Sequence, residues 1–342
     1  QKASDNEAKA LNASLKLKGA KMGDVKGEYV YVVVGYTAVL TPDELAKVKS
    51  NPDVQGVYQD FEIKLPPKIS GMVPPDVQIS KQYTTCSVTM AGGPVDGSAK
   101  NTWIWILDTG IDGSHPDLNV QTGSPYATSF IAGQTWNDVN GHGTHIAGIA
   151  AAKNNTYGVA GVSAGAKVVP VKVLENNGSG PMSSLLAGLN HIAMYNIPND
   201  VVCIPIGAFP IPDCANAYPM LRDAIFNLAN SGTWVVLSAG YSGGDAASFN
   251  PGCINGNRIY TVGSISCAKT ASSFSNFSPS VVDWIAVGED VYSTMPGGKY
   301  GTLSGTALTV PVVAGIIHSK GAAPVSGGTV NCRGANYNIA HR

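Results

Sequence analysis

Two side chains suited to acid–base chemistry lie in segments whose local structure the sequence predicts. Asp108 ends an apolar run and is followed by Thr109-Gly110, a turn signal. A carboxylate is thereby placed at the carboxyl end of a buried strand, where open α/β sheets present functional groups. His142 has glycine on both sides, which permits close backbone approach where a helix begins. A carboxylate can orient an imidazole, which can then take a proton from a nucleophilic hydroxyl.

The elements that must position these side chains alternate along the chain from about residue 100. Short apolar runs of buried-strand type and helical patterns follow one another at the spacing of a parallel sheet with helical crossovers. The predicted strands are Trp103–Leu107, Lys167–Val173, Val201–Ile206, Trp234–Ser238 and Ile259–Val262, and the predicted helices are Ser183–Tyr195 and Pro219–Asn230. The predicted fold class is therefore α/β, with a mostly parallel central sheet.

A third segment, residues 303–315, reads Leu-Ser-Gly-Thr-Ala-Leu-Thr-Val-Pro-Val-Val-Ala-Gly. It resembles the nucleophile segment of the subtilases (subtilisin-like serine proteases), Gly-Thr-Ser-Met-Ala-Thr-Pro-His-Val-Ala-Gly. The segments around Asp108 and His142 resemble the family's aspartate and histidine motifs, in the family's order. The resemblance implies a subtilisin-like three-layer sandwich. It also puts Ala307 where the family has its nucleophilic serine, and a methyl group cannot attack a carbonyl.

Other positions also depart from the family's pattern. Tyr241 lies where the resemblance implies the asparagine that donates to the oxyanion. The segment that resembles the substrate-pairing strand reads Pro205-Ile206-Gly207, and its proline lacks one backbone donor. Val312 replaces a histidine of the nucleophile segment. In subtilisin, losing one oxyanion donor lowers turnover by about 10²–10³ and losing the serine by about 10⁶. The resemblance therefore implies a site in which Asp108 and His142 are remnants.

Two alternatives would keep the chain among the serine endopeptidases. One is a non-standard nucleophile, because Ser304 and Thr306 flank Ala307. Neighbouring side chains at a helix start point in different directions, so we expect neither hydroxyl to reach His142. The other is an alanine introduced artificially, which would leave the further departures unexplained. Natural loss of the reaction accounts for all of them.

Residues 1–65 have the pattern of a separate small α+β unit. The sequence predicts a helix over Ala3 to Lys18, a strand over Tyr29 to Leu40 interrupted at Gly35, and a second strand over Val54 to Ile63. A further helix should begin at Thr41-Pro42-Asp43-Glu44, which combines an N-cap, a first-turn proline and a capping-box glutamate.

This order resembles the inhibitory propeptide of subtilases, without that module's first strand. The resulting domain prediction is a propeptide at 1–65, a proline-rich linker at 66–80 and a subtilisin-like domain at 81–342. We expect the residue 60–70 segment to occupy the cleft of the large domain. A strand edge left open in the small domain would suit self-assembly by β-augmentation.

Three kinds of ancillary site complete the expectations. Residues 153–159 resemble the family's calcium loop, in which Asn155 and the distant Asp117 would supply ligands. Six cysteines allow fifteen connectivities; Cys203–Cys214 and Cys253–Cys267 are plausible local bridges, which leaves Cys86 and Cys332. The candidate N-glycosylation sites are Asn12, Asn154, Asn177 and Asn276.

Composition limits the classes of function. The 342 residues are 44% hydrophobic and 13% charged, with a net charge of -1, so we expect no binding to nucleic acid. We find no signal peptide and no apolar run long enough to span a membrane. The sequons and the low charge favour a secreted or cell-surface protein. The leading hypothesis is an inactive subtilase-like protein kept for binding or assembly, in which its own propeptide and copies of itself are the partners.

Overall fold

The computed structural model describes residues 25–65, 81–207 and 213–342. Its strands are β1 (Val25–Tyr29), β2 (Gly35–Ala38), β3 (Glu62–Lys64), β4 (Val95–Asp96), β5 (Ile104–Asp108), β6 (Asn119–Val120), β7 (Thr128–Ser129), β8 (Ser163–Ala164), β9 (Lys167–Lys172), β10 (Ser179–Pro181), β11 (Val201–Ile204), β12 (Trp234–Ser238), β13 (Ile259–Ile265), β14 (Val282–Val287), β15 (Val291–Met295), β16 (Lys299–Leu303), β17 (Val325–Cys332) and β18 (Ala335–His341). Its helices are α1 (Pro42–Lys49), α2 (Cys86–Met90), α3 (His142–Ala151), α4 (Met182–Tyr195), α5 (Cys214–Ala217), α6 (Pro219–Asn230) and α7 (Thr309–Lys320).

A ten-stranded sheet organises the large domain of the described chain. Its order is β17-β18-β14-β13-β12-β11-β5-β9-β6, and β7 also pairs with β9. The pairs from β14 to β6 are parallel, while β17 and β18 form an antiparallel hairpin at one edge. The predicted α/β class and mostly parallel sheet are confirmed.

Strand β5 shows how the sequence builds three layers. All five of its residues are buried, and successive side chains enter opposite faces of the sheet because the strand repeats every two residues. Ile104 and Ile106 join the core that contains α3 and α7. Trp105 and Leu107 join the other core, with α4 and α6. A strand covered on both faces must be apolar throughout, which is why the predicted strands lack alternation.

The apolar run at Tyr29 to Leu40 contains the turn and the second strand of a hairpin, and the prediction of one strand there is wrong. β1 and β2 pair antiparallel, with Tyr29 opposite Gly35. The turn between them packs against the large domain: the Asn190 side chain accepts the N–H groups of Val30 and Tyr31, each at 2.8 Å, and Val32 is 2% exposed. Its apolar residues therefore pack on another domain rather than along a strand.

The second predicted strand of the small unit, Val54 to Ile63, is also corrected. Only Glu62–Lys64 forms a ladder, and its partner is β10 of the large domain. Residues 54–61 have no ladder partner in the described chain, and most of them are exposed. The capping box at Thr41 and Glu44 is present as predicted, and α1 ends before Ser50.

Three of the sequence-based predictions concern residues that the structure does not describe. The helix predicted over Ala3 to Lys18, the sequon at Asn12 and the linker at 66–80 lie outside the described residues. Within the described residues, no helix combines the length and the apolar composition needed to cross a membrane.

Candidate active site

The two side chains singled out for acid–base chemistry meet at the carboxyl edge of the sheet. Asp108 is the last residue of β5 and His142 the first of α3. The Nδ1–H of His142 donates to both oxygens of the Asp108 carboxylate, at 2.8 Å to Oδ2 and 2.9 Å to Oδ1. Asp108 is fully buried and also accepts the Thr109 N–H at 2.7 Å. This contact fixes the tautomer with Nε2 unprotonated, which is the form of a general base.

Glycine makes the close approach of α3 to β5 possible. A Cβ on Gly143 would overlap the carbonyl oxygen of Gly110 and lie 3.1 Å from the Asp108 Cβ. Gly141 caps the helix with φ 101, a conformation that other residues rarely adopt. These two glycines therefore allow the imidazole to sit directly against the carboxylate.

Asp138 is a supporting residue that the sequence reasoning missed. Its Oδ1 accepts the Thr109 hydroxyl and the Gly141 N–H, both at 2.9 Å, and its Oδ2 accepts the N–H and hydroxyl of Thr144 at 2.9 and 2.6 Å. It thereby joins the loop after β5 to the first turn of α3. Burial raises the pKa of Asp138. Its place four residues before His142, in a polar stretch that enters a helix, was the available signal.

The position aligned with the nucleophile holds only a methyl group. Ala307 is the middle residue of a 3-10 turn, Thr306–Leu308, that leads into α7 and contacts α3. It is buried, at 4% exposure. Within the described chain, no hydrogen bond is made to the Nε2 of His142.

The hydroxyl groups that most closely precede Ala307 in the chain are those of Ser304 and Thr306. Ser304 Oγ accepts the Asp290 N–H at 2.9 Å and donates to the Asp290 carboxylate at 3.3 Å. Thr306 is fully buried, and its hydroxyl has no hydrogen-bond partner among the described residues. Neither hydroxyl hydrogen-bonds to His142.

Tyr241 follows β12 at the position that the resemblance gives to the oxyanion donor. Its ring is half-buried and meets Phe249 edge-to-face, with the centroids 5.7 Å apart. Burial raises the pKa of Tyr241. No described residue hydrogen-bonds to its hydroxyl. The side chain is therefore held by aromatic packing rather than by a polar network aimed at a reacting oxygen.

The cleft beside these residues is occupied by the end of the small unit. β3 pairs antiparallel with β10, with Ile63 opposite Gly180, and the Leu65 N–H donates to the Gly178 carbonyl at 2.8 Å. On its other side, Lys64 forms an antiparallel bridge with Gly207. The segment is thus the middle strand of three, in the way a bound peptide would lie.

Of the segment predicted to pair with a peptide, residues 205–207, only Gly207 pairs with the strand in the cleft. Gly207 makes the bridge to Lys64, while the Ile206 side chain is buried in the core. Pro205 is buried and offers no backbone N–H.

A second contact holds the small unit against α4. The Asp60 carboxylate accepts the Ser183 N–H at 3.0 Å and the Ser183 hydroxyl at 2.5 Å, at the amino end of α4. The Tyr29 hydroxyl donates to the Ser183 carbonyl at 3.1 Å. A carboxylate placed there is stabilised by the exposed N–H groups of the first helical turn.

The predicted calcium residues also meet. Asp117 is buried, and its Oδ1 accepts the Asn155 amide at 2.7 Å. Gln82, which the sequence reasoning missed, donates to the Lys153 carbonyl of the same loop at 2.9 Å. Carboxylate, amide and carbonyl oxygens are what calcium prefers, and this loop together with Asp117 carries all three types. To bind the ion, the Asn155 amide would have to turn and release its bonds to Asp117 and to the Tyr157 N–H. The described chain holds no group of three His, Cys, Asp or Glu placed to bind a metal, so amide and backbone oxygens would have to supply the remaining ligands.

The two local disulfides suggested by the sequence are wrong. Cys86 pairs with Cys267 and Cys214 with Cys253, while Cys203 and Cys332 are free and buried. Cys203 lies within the central strand β11, where its side chain faces the core and lies away from Cys214.

One of the candidate glycosylation sites is excluded by burial. Asn276 is fully buried, and its Oδ1 accepts hydrogen bonds from Ser242 and Gly244. A glycan requires an exposed amide, so Asn276 is not a site in the folded chain. Asn154 and Asn177 are exposed.

Comparison with family models matches both parts of the chain. Residues 99–319 match the model described as the subtilase family, and residues 1–66 match the model described as peptidase inhibitor I9.

Curated relatives and a solved structure agree with this match. Subtilisin amylosacchariticus from Bacillus subtilis subsp. amylosacchariticus is 33% identical over 305 residues, which cover 86% of this chain and 72% of the relative. The major intracellular serine protease of Bacillus subtilis (strain 168) is 37% identical over 226 residues, 64% of this chain and 67% of the relative. The crystal structure of a cold-adapted subtilisin-like serine proteinase is similar with a TM-score of 0.56 and 29% identity, over 65% of this chain and 75% of that one.

Proposed function

Because the chain belongs to the subtilase family, a family of serine peptidases, we propose that it is a member without peptidase activity, kept for binding or structural assembly. The observation that carries the proposal is the methyl group of Ala307 in the turn that contacts α3. Acyl transfer by this family requires a hydroxyl there, activated by the imidazole. Without it, the Asp108–His142 pair has no nucleophile to activate.

The neighbourhood of Ala307 supports loss of the reaction rather than relocation of the nucleophile. Ser304 is bonded to Asp290, and Thr306 is enclosed. Tyr241 places a phenol ring, held against Phe249, where an amide donor would be needed. Loss of one such donor alone lowers turnover by about 10²–10³. A single artificial substitution at Ala307 would not account for Tyr241.

The cleft of the large domain binds a segment of the same chain instead of a substrate. Residues 61–65 are paired on both sides, with β10 and with Gly207, so the groove is filled by the chain itself. A foreign peptide would have to displace this strand and the buried Ile63 side chain. We therefore assign the cleft an internal role, as the seat of the 1–65 propeptide domain on the 81–342 domain through the 66–80 linker. Contacts with other molecules then fall to the outer surface.

The same proposal includes an extracellular location and a structural calcium ion. Two disulfides suit an oxidising compartment, and the sequons at Asn154 and Asn177 are exposed. Calcium at the 153–159 loop would be held by Asp117 and Asn155, together with backbone carbonyls of the loop. Bound there, it would fix a surface loop and take no part in acid–base chemistry.

Labelling with a fluorophosphonate tests the central claim. This probe reports an activated serine hydroxyl and needs no substrate pocket. We expect the natural chain to remain unlabelled and the Ala307→Ser variant to serve as the matched control. Covalent labelling of the natural chain that is lost on heat denaturation would show a working nucleophile and favour the serine endopeptidase alternative.

A further inference from the structure

The hairpin β17–β18 closes one edge of the large sheet and leaves β17 outermost. β17 pairs only with β18 among the described strands. It is eight residues long, whereas β6 at the opposite edge has two residues. Most β17 side chains are exposed, and only Val330 and Cys332 are buried. The sheet therefore has one long edge strand that is open to solvent.

The turn of the hairpin determines which backbone groups face outward. Arg333 and Gly334 both have positive φ, 56 and 89, and they join Cys332 and Ala335 in a two-residue turn. The pair that closes such a turn, Cys332 with Ala335, is hydrogen-bonded. Hydrogen-bonded and non-hydrogen-bonded pairs then alternate along the antiparallel ladder. The N–H and C=O groups of Asn331 and Thr329 consequently point away from β18. No described residue bonds to these backbone groups.

Edge strands are usually protected from pairing with another chain by charged side chains, prolines or shortness. β17 is eight residues long, and its sequence, Val-Ser-Gly-Gly-Thr-Val-Asn-Cys, carries no charge and no proline; a bulge, the other common protection, affects only its first half. Its one irregularity is a shift in the ladder between Ser326 and Thr329, at the two glycines. Residues 329–332 beyond it are regular, and their inner side chains are anchored in the core.

We propose that β17 is an assembly edge, at which a second copy of this chain adds its own β17 antiparallel across a twofold axis. A strand without charge meets its own copy without like-charge repulsion, and Thr329 and Asn331 of each copy offer both a donor and an acceptor. The pairing would join two ten-stranded sheets into one. This inference rests on the proposed assembly function and names the surface that performs it.

Sedimentation and size-exclusion with light scattering on the full chain test the edge. Thr329→Pro removes one outward N–H that β18 does not use, and Thr329→Lys adds a charge to the same position. Asn338→Lys is the matched control, because Asn338 lies directly opposite Thr329 and is also exposed, but on the inner strand. We expect the natural chain and the control to dimerise at micromolar concentration. Both Thr329 variants should have a dimer dissociation constant at least tenfold higher.

The possible outcomes separate the two proposals. Association that both Thr329 variants retain overturns the β17 edge and leaves assembly through another surface. A natural chain that stays monomeric at high micromolar concentration overturns assembly together with its edge. Neither result bears on the loss of catalysis, which the fluorophosphonate experiment tests separately. If Thr329→Pro does not fold, Thr329→Lys gives the same comparison with an intact backbone.

Discussion

The imidazole of His142 donates to both oxygens of the buried Asp108 carboxylate, at 2.8 and 2.9 Å, while no described residue hydrogen-bonds to its Nε2. Under the proposed loss of activity, a structural role has to explain the geometry of the pair. A buried carboxylate that loses its hydrogen-bonding partner becomes unstable, because its charge is then neither solvated nor paired. Once the fold has enclosed Asp108, His142 is required to keep it satisfied.

His142→Ala should therefore destabilise the protein, by about 3 kcal/mol in the free energy of unfolding. His142→Gln, which retains an amide donor, should recover part of the loss. Urea unfolding followed by circular dichroism gives the comparison. Equal stability of the natural chain and His142→Ala would show that the pair contributes nothing.

Restoring the reaction should require more than one substitution. Ala307→Ser supplies a hydroxyl in the turn that contacts α3, but Tyr241 remains at the position that the resemblance gives to the oxyanion donor. We expect the single variant to be labelled slowly by a fluorophosphonate, and Ala307→Ser combined with Tyr241→Asn to be labelled about 10²-fold faster. Tyr241→Asn alone is the control and should not be labelled. Equal rates for the single and the double variant would mean that Tyr241 does not obstruct the site.

The sequence predicts the positions of Asp108 and His142 well because each is determined locally. Asp108 ends an apolar strand run, and His142 opens a glycine-flanked helix, so their places at the sheet edge follow from short segments. Contacts between distant segments are less accessible. Cys86 and Cys267 are 181 residues apart in the chain, and nothing near either one indicates the other. Local spacing favoured Cys203 with Cys214, but the sheet points Cys203 into its core.

In the small unit, too, contacts between distant segments could not be predicted from the sequence. An apolar run such as Tyr29 to Leu40 is typical of a strand, yet its middle is a turn that docks on α4 and α6. That turn depends on Asn190 and on Asn227, whose amide donates to the Val32 carbonyl at 2.7 Å, and both lie in the other domain. Residues 54–61 are rich in valine and aromatic residues, as strands are, but composition does not supply a pairing partner.

The strand in the cleft should be an integral part of the folded protein. Ile63 is 1% exposed and belongs to the core of the large domain. Ile63→Ala should lower the free energy of unfolding by about 2–4 kcal/mol. It should also speed cleavage of the 25–65 region in limited proteolysis. Lys64→Ala is the control, because this neighbouring side chain is half-exposed and only its backbone bridges to Gly207. If both variants are cleaved at the natural rate, the strand does not hold the small domain.

Stability should fall as the pH drops from 7 toward 4, in part because of His145. Burial lowers the pKa of His145 to about 3, and its Nε2–H donates to the carbonyls of Val291 and Gly301. Between that value and about 6.5, the unfolded chain binds a proton that the folded chain does not. The free energy of unfolding therefore decreases with falling pH across this window, by about 1.4 kcal/mol per unit for this residue.

His145→Gln isolates that contribution, since an amide can still donate to one carbonyl but does not titrate. Burial likewise lowers the pKa of His115, His191 and His318, so the variant should retain some dependence on pH. Urea unfolding at several pH values should give a shallower slope for the variant. Parallel slopes would mean that His145 is protonated equally in both states.

Calcium should raise the melting temperature if the loop at 153–159 binds it. A ligand that binds only the folded chain stabilises it in proportion to the logarithm of its concentration above the dissociation constant. We expect a shift of several degrees between excess chelator and millimolar calcium.

Asp117→Asn removes the one buried carboxylate of the donor set and should abolish the shift. Asp290→Asn, at an exposed turn beside Ser304, should leave the calcium shift unchanged. A natural chain whose melting temperature is the same in calcium and in chelator would show that hydrogen bonds to Asp117 from Asn155, Val159 and Tyr300 hold the loop without an ion.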